Sequence, residues 1–182
     1  ARATKDLDTN TPSSPFPKPS FRLAIRIGEL PDSTLVARRL GATKYALYAS
    51  PSYLQSAPRL RTVADLPSQR VFAMSESVDR IRLRMQRGSE RTTVSVPSAG
   101  AVNDFPILVQ MLVDGLGIAA LPDHLARASV DAGTLKRVLP SWSLGVSEFN
   151  AVFPSHRGAT PKVRAFVDYL VEALSKTAPW KP

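Results

Sequence analysis

The sequence contains no cysteine in 182 residues, which excludes disulfides, thiolate catalysis and cysteine-ligated zinc or iron–sulfur sites together. Histidine is nearly as scarce: the two present, His124 and His156, lie far apart and beside no carboxylate–histidine pattern. Neither a metal site nor an acid–base dyad has a visible framework. No Gly-x-Ser-x-Gly elbow surrounds any serine, and no P-loop or Gly-x-Gly-x-x-Gly follows a strand pattern, so a protein that is not an enzyme, with no metal and no cofactor, is expected. Long apolar runs are missing too. No stretch approaches the ~18 residues of a membrane-spanning helix, and the first residues lack the basic-then-apolar order of a secretory signal. The expected location is the cytoplasm, with no membrane partner.

What is present is ordinary in bulk. Apolar residues make up 43% and charged residues 21%, far from the composition of disordered chains. A compact fold of this size buries roughly 70% of its unfolded surface, enough for one domain or two small lobes. The unusual number is the net charge of +9, which fits attraction to nucleic acid, an anionic ligand, or solubility alone. Reading a DNA groove also needs an element shaped to enter it.

Residues 1–20 hold Pro12, Pro15, Pro17 and Pro19 among Ser, Thr, Lys and Asp, the composition of a tail or linker. At Phe21 the pattern changes to alternation: Phe21, Leu23, Ile25 and Ile27 oppose Arg22, Ala24 and Arg26, which predicts a strand ending at Gly28. After the Leu30-Pro31-Asp32-Ser33 turn come two short extended runs, at Leu35-Val36-Ala37 and at 45–49. Pro51 opens a short helix. A helical turn at 62–69 and a strand at 71–74 follow. Ile81, Leu83 and Met85, set against Arg80, Arg82 and Arg84, and then Thr92, Val94 and Val96 predict a hairpin around Arg87-Gly88-Ser89-Glu90. From Asp104 the period becomes helical, through Phe105, Leu108, Val109, Leu112 and Leu116, and Gly115 or Gly117 can end that helix. Next are a buried strand at 118–121, a helix from Pro122-Asp123 to about Val130 stopped by Gly133, and an apolar run at 150–153. The last helix is capped by Thr160 and opened by Pro161, with Val163, Phe166, Val167, Leu170, Val171 and Leu174 on one stripe. Strands alternating with helices favour an α/β fold with partly parallel sheets.

Four ordered blocks give a resemblance. They are Phe21-Arg22-Leu23-Ala24-Ile25-Arg26-Ile27-Gly28-Glu29-Leu30-Pro31-Asp32-Ser33 with Leu35-Val36-Ala37-Arg38; Tyr48-Ala49-Ser50-Pro51-Ser52-Tyr53-Leu54 with Ala64-Asp65-Leu66; Gly115-Leu116-Gly117-Ile118-Ala119-Ala120-Leu121-Pro122-Asp123; and Ala151-Val152-Phe153-Pro154-Ser155 with Pro161-Lys162-Val163-Arg164-Ala165-Phe166-Val167-Asp168. Together they resemble the effector-binding (substrate-binding) domain of LysR-type transcription regulators. The resemblance implies a type 2 periplasmic-binding-protein-like α/β fold, in which two Rossmann-like lobes joined by two crossing strands hold a small effector between them. On that pattern 21–46 with 152–182 form the first lobe and 47–151 the second. The family's winged helix-turn-helix finds no counterpart in residues 1–20. Nor does the strand-helix-strand-helix stretch that precedes the Phe21 block, so the first lobe is expected to be truncated. An acidic residue common in the family is replaced by Arg22. The implied function is regulatory sensing of a small metabolite, with homo-oligomerisation as a dimer or tetramer and DNA contact only through the missing helix-turn-helix. The alternative is a transport-type solute-binding protein.

By the same resemblance, the effector is expected at Ser50 and Ser52, at Ser98, Ala99 and Asn103, and at Pro122. Helix N-termini there suit an anion. The plainer reading is that the 98–101 stretch is a loop and that Asn103 or Asp104 only caps a helix. Arg80, Arg82 and Arg84 could grip phosphates or an acidic partner, though a solvated strand face is the simpler account.

Overall fold

In a computed structural model, residues 4–7, 23–28, 35–154 and 160–177 are described. They form nine strands and four α-helices: β1 (Thr4–Leu7), β2 (Ala24–Ile27), β3 (Val36–Ala49), α1 (Pro51–Ser56), β4 (Val71–Met74), β5 (Arg80–Arg87), β6 (Glu90–Val102), α2 (Phe105–Val113), β7 (Ile118–Pro122), α3 (Asp123–Asp131), β8 (Lys136–Val138), β9 (Val146–Phe153) and α4 (Pro161–Thr177). A 3-10 turn, Val63–Ser68, precedes β4. Two compact units emerge, one from the described residues of 1–8 and 44–145, the other from those of 9–43 and 146–182. The chain passes between these units at 43/44 and 145/146, within a few residues of the lobe bounds expected from the resemblance. Hydrophobicity does not mark these passages, because β3 and β9 continue as strand at or next to them.

In the larger unit the strand order is β1-β5-β6-β4-β7-β3, with β8 also on β3. β4 runs parallel to both β6 and β7, whereas β3 is antiparallel to β7. The central strands are covered on both faces, and the alternation of side chains shows it. Leu47, Ala49, Val71, Ala73 and Ile118 join one core with Tyr53, Leu66, Ile81, Leu83 and Val96. Their sequence neighbours Ala46, Tyr48, Phe72, Ala119 and Leu121 join a second core with Leu108 and Leu112 of α2 and Ala126 of α3. The second core forces one close approach: a Cβ at Gly117 would collide with the Arg70 carbonyl oxygen and lie 2.8 Å from the Phe72 ring.

The β5–β6 hairpin turns through Gly88, at φ 58°, and Ser89, a two-residue turn that suits the strand twist. Beyond the turn, Gln86 and Ser143 exchange backbone hydrogen bonds of 2.8 Å each way, and the Arg87 guanidinium lies 4.7 Å above the Trp142 ring. The other unit pairs β2 with β9 antiparallel. α4 covers it, with Val167 buried beside Leu40, Ala151 and Phe153.

Several expectations change. The tail is not wholly irregular, since Thr4–Leu7 pairs in parallel with β5. The two runs at 35–37 and 45–49 are one fourteen-residue strand, because the polar 38–44 stretch between them still pairs as backbone. The 98–101 stretch is strand, being the part of β6 that pairs with β4. Phe166 is 50% exposed rather than in the core, since the helical stripe turns away from its unit there. Phe21, Arg22, the Leu30-Pro31-Asp32-Ser33 turn, the prolines of the tail and His156 lie outside the described residues.

Leu108, fully buried, and Ile107, 56% exposed, are adjacent on α2. Leu108→Ala should cost about 2–5 kcal/mol, read as a lower urea midpoint, while Ile107→Ala should stay within about 0.5 kcal/mol. Gly117→Ala should destabilise more than Gly133→Ala, whose added Cβ meets nothing within 4 Å and whose cost is only the left-handed backbone at φ 73°, about 1–2 kcal/mol. Equal midpoints for the two glycine variants would contradict the close approach.

Candidate functional site

Strand register fixes where each candidate residue lies in the larger unit. Val71 of β4 stands beside Ser98 of β6 and beside Ile118 of β7, and Ile118 in turn beside Ala49 of β3. Ser98, Ala99, Ser50 and Ser52 therefore lie at the end of the sheet where β4 and β7 begin. At the opposite end, Met74 pairs with Val102 and Pro122 with Tyr45, so Asn103 and Pro122 lie where β6 and β7 finish. The two ends are separated by roughly 13 Å of strand. Even along the first end, Ser98 and Ala49 are three strand spacings apart, roughly 14 Å. The six expected residues thus divide into two groups, and one small ligand cannot touch both.

At the first end the hydroxyls already serve the fold. Ser50 is buried, and its Oγ accepts from the Tyr53 N–H at 3.3 Å and lies 3.0 Å from Ser52 Oγ. Gly115, at φ 80°, closes over this pair: a Cβ there would sit 3.0 Å from Ser52 Oγ. Ser98 Oγ donates to the Gly100 carbonyl at 2.9 Å and accepts from its N–H at 3.2 Å. Ala99 offers only an exposed methyl group.

The opposite end differs. β4, the second half of β6, and β7 all finish there in parallel, and in open α/β sheets the carboxyl ends of the strands are where ligands bind. α2 and α3 begin there as well, bringing two N-terminal partial positive charges to one edge. Asp104 caps α2, its Oδ1 accepting from the Ile107 N–H at 2.9 Å, and Asn103 beside it is exposed. Ser75, just past β4, is buried, donates its N–H to the Val102 carbonyl at 2.8 Å and directs its hydroxyl to the Ser77 carbonyl at 3.4 Å. Pro122 is buried and leads into α3, where Asp123 accepts from the Tyr48 hydroxyl at 2.9 Å. Burial and then the Asp123 carboxylate push the Tyr48 phenol well above its ordinary range, and burial pushes the Tyr45 phenol to about 12. His124 is held below its usual value by burial and by the Arg127 charge, against the opposing pull of Asp123. Among the described residues no three His, Cys, Asp or Glu side chains gather as metal ligands. The side chains of Asn103, Ser75, Tyr45 and the Tyr48–Asp123 pair are thus polar groups gathered near this edge.

Ser75, Tyr45 and the Tyr48–Asp123 pair were not singled out from sequence. The only signal for Ser75 was its place one residue after an apolar strand.

The description "LysR substrate binding domain" fits residues 20–175 of the chain. An HTH-type transcriptional regulator of Xanthomonas campestris pv. campestris is 36% identical over 157 residues, 84% of this chain and 46% of that protein. The HTH-type transcriptional regulator PtxR of Pseudomonas aeruginosa is 32% identical over 160 residues, 85% of this chain and 49% of that protein. The chain thus spans about half the length of the curated relatives it matches. Among solved structures, the regulatory domain of AphB in Vibrio vulnificus superposes with a TM-score of 0.70 at 25% identity, covering 84% of this chain and 75% of that one. The regulatory domain of CrgA from Neisseria meningitidis gives a TM-score of 0.67 at 27% identity, covering 84% and 75%.

Both tyrosine shifts carry a stability consequence with a definite sign. A phenol whose pKa is raised by folding keeps its proton where the unfolded chain releases it, so its contribution is complete below about pH 10 and is lost as pH rises toward the folded value. Unfolding midpoints should therefore hold to about pH 9 and fall above about pH 10. Tyr45→Phe with Tyr48→Phe should flatten that fall, and an unchanged alkaline limb in the double variant would refute the assignment. At neutral pH, Tyr48→Phe alone should cost about 1 kcal/mol through the lost bond to Asp123.

Proposed function

The chain belongs to the LysR substrate-binding-domain family, and we propose that it senses a small metabolite at the edge where β4, β6 and β7 end. One observation carries the reading: three parallel strand ends and the starts of α2 and α3 converge there, whereas the hydroxyls of the other edge are engaged by the fold. Asn103 and the backbone at Pro122 are the contacts retained from the expected set. The two helix starts offer backbone N–H groups to a small polar or anionic effector, beside the carboxylates of Asp104 and Asp123 that already stand there. Regulatory domains of this kind work only if the effector binds two states of the protein unequally. In the whole protein the proposed readout passes through a homo-oligomer to a helix-turn-helix that touches DNA. The relatives cited above are described as regulators, which favours sensing over the transport alternative.

The test is thermal unfolding of the chain in the presence of a panel of small carboxylates and other metabolites. A true effector at about a hundredfold its Kd adds about 2.7 kcal/mol, a rise of roughly 5–10 °C for a domain of this size. Asn103→Ala should abolish most of the rise and Ser98→Ala should keep it. The reverse pattern would move the site to the opposite edge.

A further inference from the structure

The β5–β6 hairpin has a core face and an outer face, and its charges are sorted between them. Ile81, Leu83 and Met85 point inward, and Arg87 follows them in alternation to lie over Trp142. Glu90, the hairpin's only acidic residue, is in register with Arg87 and bonded to its guanidinium at 2.7 and 3.0 Å. On the outer face Arg80, Arg82 and Arg84 succeed one another, and across the ladder stand Pro97, Ser95 and Thr93, with Gln86 opposite Arg91. All of these but the half-buried Arg82 are exposed. Four arginines, two hydroxyls and one amide thus share a sheet face to which the hairpin contributes no acid. On the neighbouring strand the backbone of Asp6 is in register with Arg82, and Arg82 and Arg84 each already have a partner within the protein; a guanidinium carries five N–H donors, so such a contact leaves others to offer. Arg80 is held flat on the sheet, donating to Ser95 Oγ and to the Ser95 carbonyl at 3.0 Å each.

We infer that this outer face docks on the phosphate backbone of duplex DNA, independently of base sequence. Every cation of the hairpin is arginine. Solvation alone is met as well by lysine, while the guanidinium is weakly hydrated, always charged and shaped to hold two phosphate oxygens at once. The Arg80-to-Arg84 row spans about 13 Å, a length over which one DNA strand presents about four charges. Hydroxyls between the arginines add neutral donors to the same oxygens. Duplex DNA, rather than an acidic protein, is the chosen polyanion because the proposed regulator works on DNA. The inference rests on that reading for its partner only, since effector binding is assigned to a different edge of the unit.

Binding of the chain to a labelled duplex of arbitrary sequence, followed by fluorescence anisotropy, tests it between about 50 and 200 mM salt, with thermal unfolding as a folding check. The expected result is sequence-independent binding with log K falling linearly in log salt, and a slope reduced by about 2–3 in the R80Q/R82Q/R84Q variant. That loss of slope corresponds to roughly a 15–60-fold smaller change in affinity across the salt range. A control carrying K44Q, R127Q and K162Q removes the same charge elsewhere. Equal loss in the control would overturn the inference, because net charge and not the face would then bind. So would absence of binding at low salt, or equal affinity for polyglutamate, which would make the face a general anion surface. Retention of the effector-induced thermal shift in the arginine variant separates failure here from failure of the sensing site.

Discussion

Burial of β4 and β7 on both faces is the constraint from which the larger unit is built. A strand covered on both sides has no polar face to offer water, so Val71-Phe72-Ala73 and Ile118-Ala119-Ala120-Leu121 are continuous apolar runs rather than alternating ones. Each residue must find a core, and successive residues find different ones. Helices α2 and α3 supply one cover, the hairpin and the 3-10 turn much of the other. Polar groups are then confined to the edges of the sheet, where the chain leaves one strand for the next element. The candidate site lies at such an edge for the same reason.

Much of this was legible beforehand because the signals were local. Alternation in β5, the Gly88-Ser89 turn, the Asp104 cap and the proline at the start of α4 are each decided within a few residues. The fourteen residues of β3 were read as two pieces because its middle is polar, and a strand held by backbone pairing need not advertise itself in its side chains. β8 was missed for a similar reason: Lys136-Arg137-Val138 has one buried residue in three. β1 gains its partner from β5, a long way off in sequence, and no local pattern could supply that.

Candidate site residues were less legible than the fold, for a geometric reason. Motif position says which loops bear polar groups but not at which end of a sheet each loop emerges. Ser98 and Asn103 are close in sequence, yet β6 runs between them and carries them to opposite ends. Only the strand directions decide that a loop after Val102 can share a ligand with a loop after Pro122, while the serines following Ala49 cannot. The register of β3 against β7 supplied this, and it depends on pairing between segments far apart in the chain.

The Arg87–Trp142 stack gives the molecule an optical consequence. Trp142 is 6% exposed and lies beneath a guanidinium carried by the hairpin, next to the Gln86–Ser143 clip. An indole in that setting emits at short wavelength, and lifting the hairpin away would bring water to the ring and shift the emission to the red. In a Trp180→Phe background, which leaves Trp142 as the only tryptophan, the integrity of one strand pair is thus encoded in the colour of a single indole, visible in solution without a label.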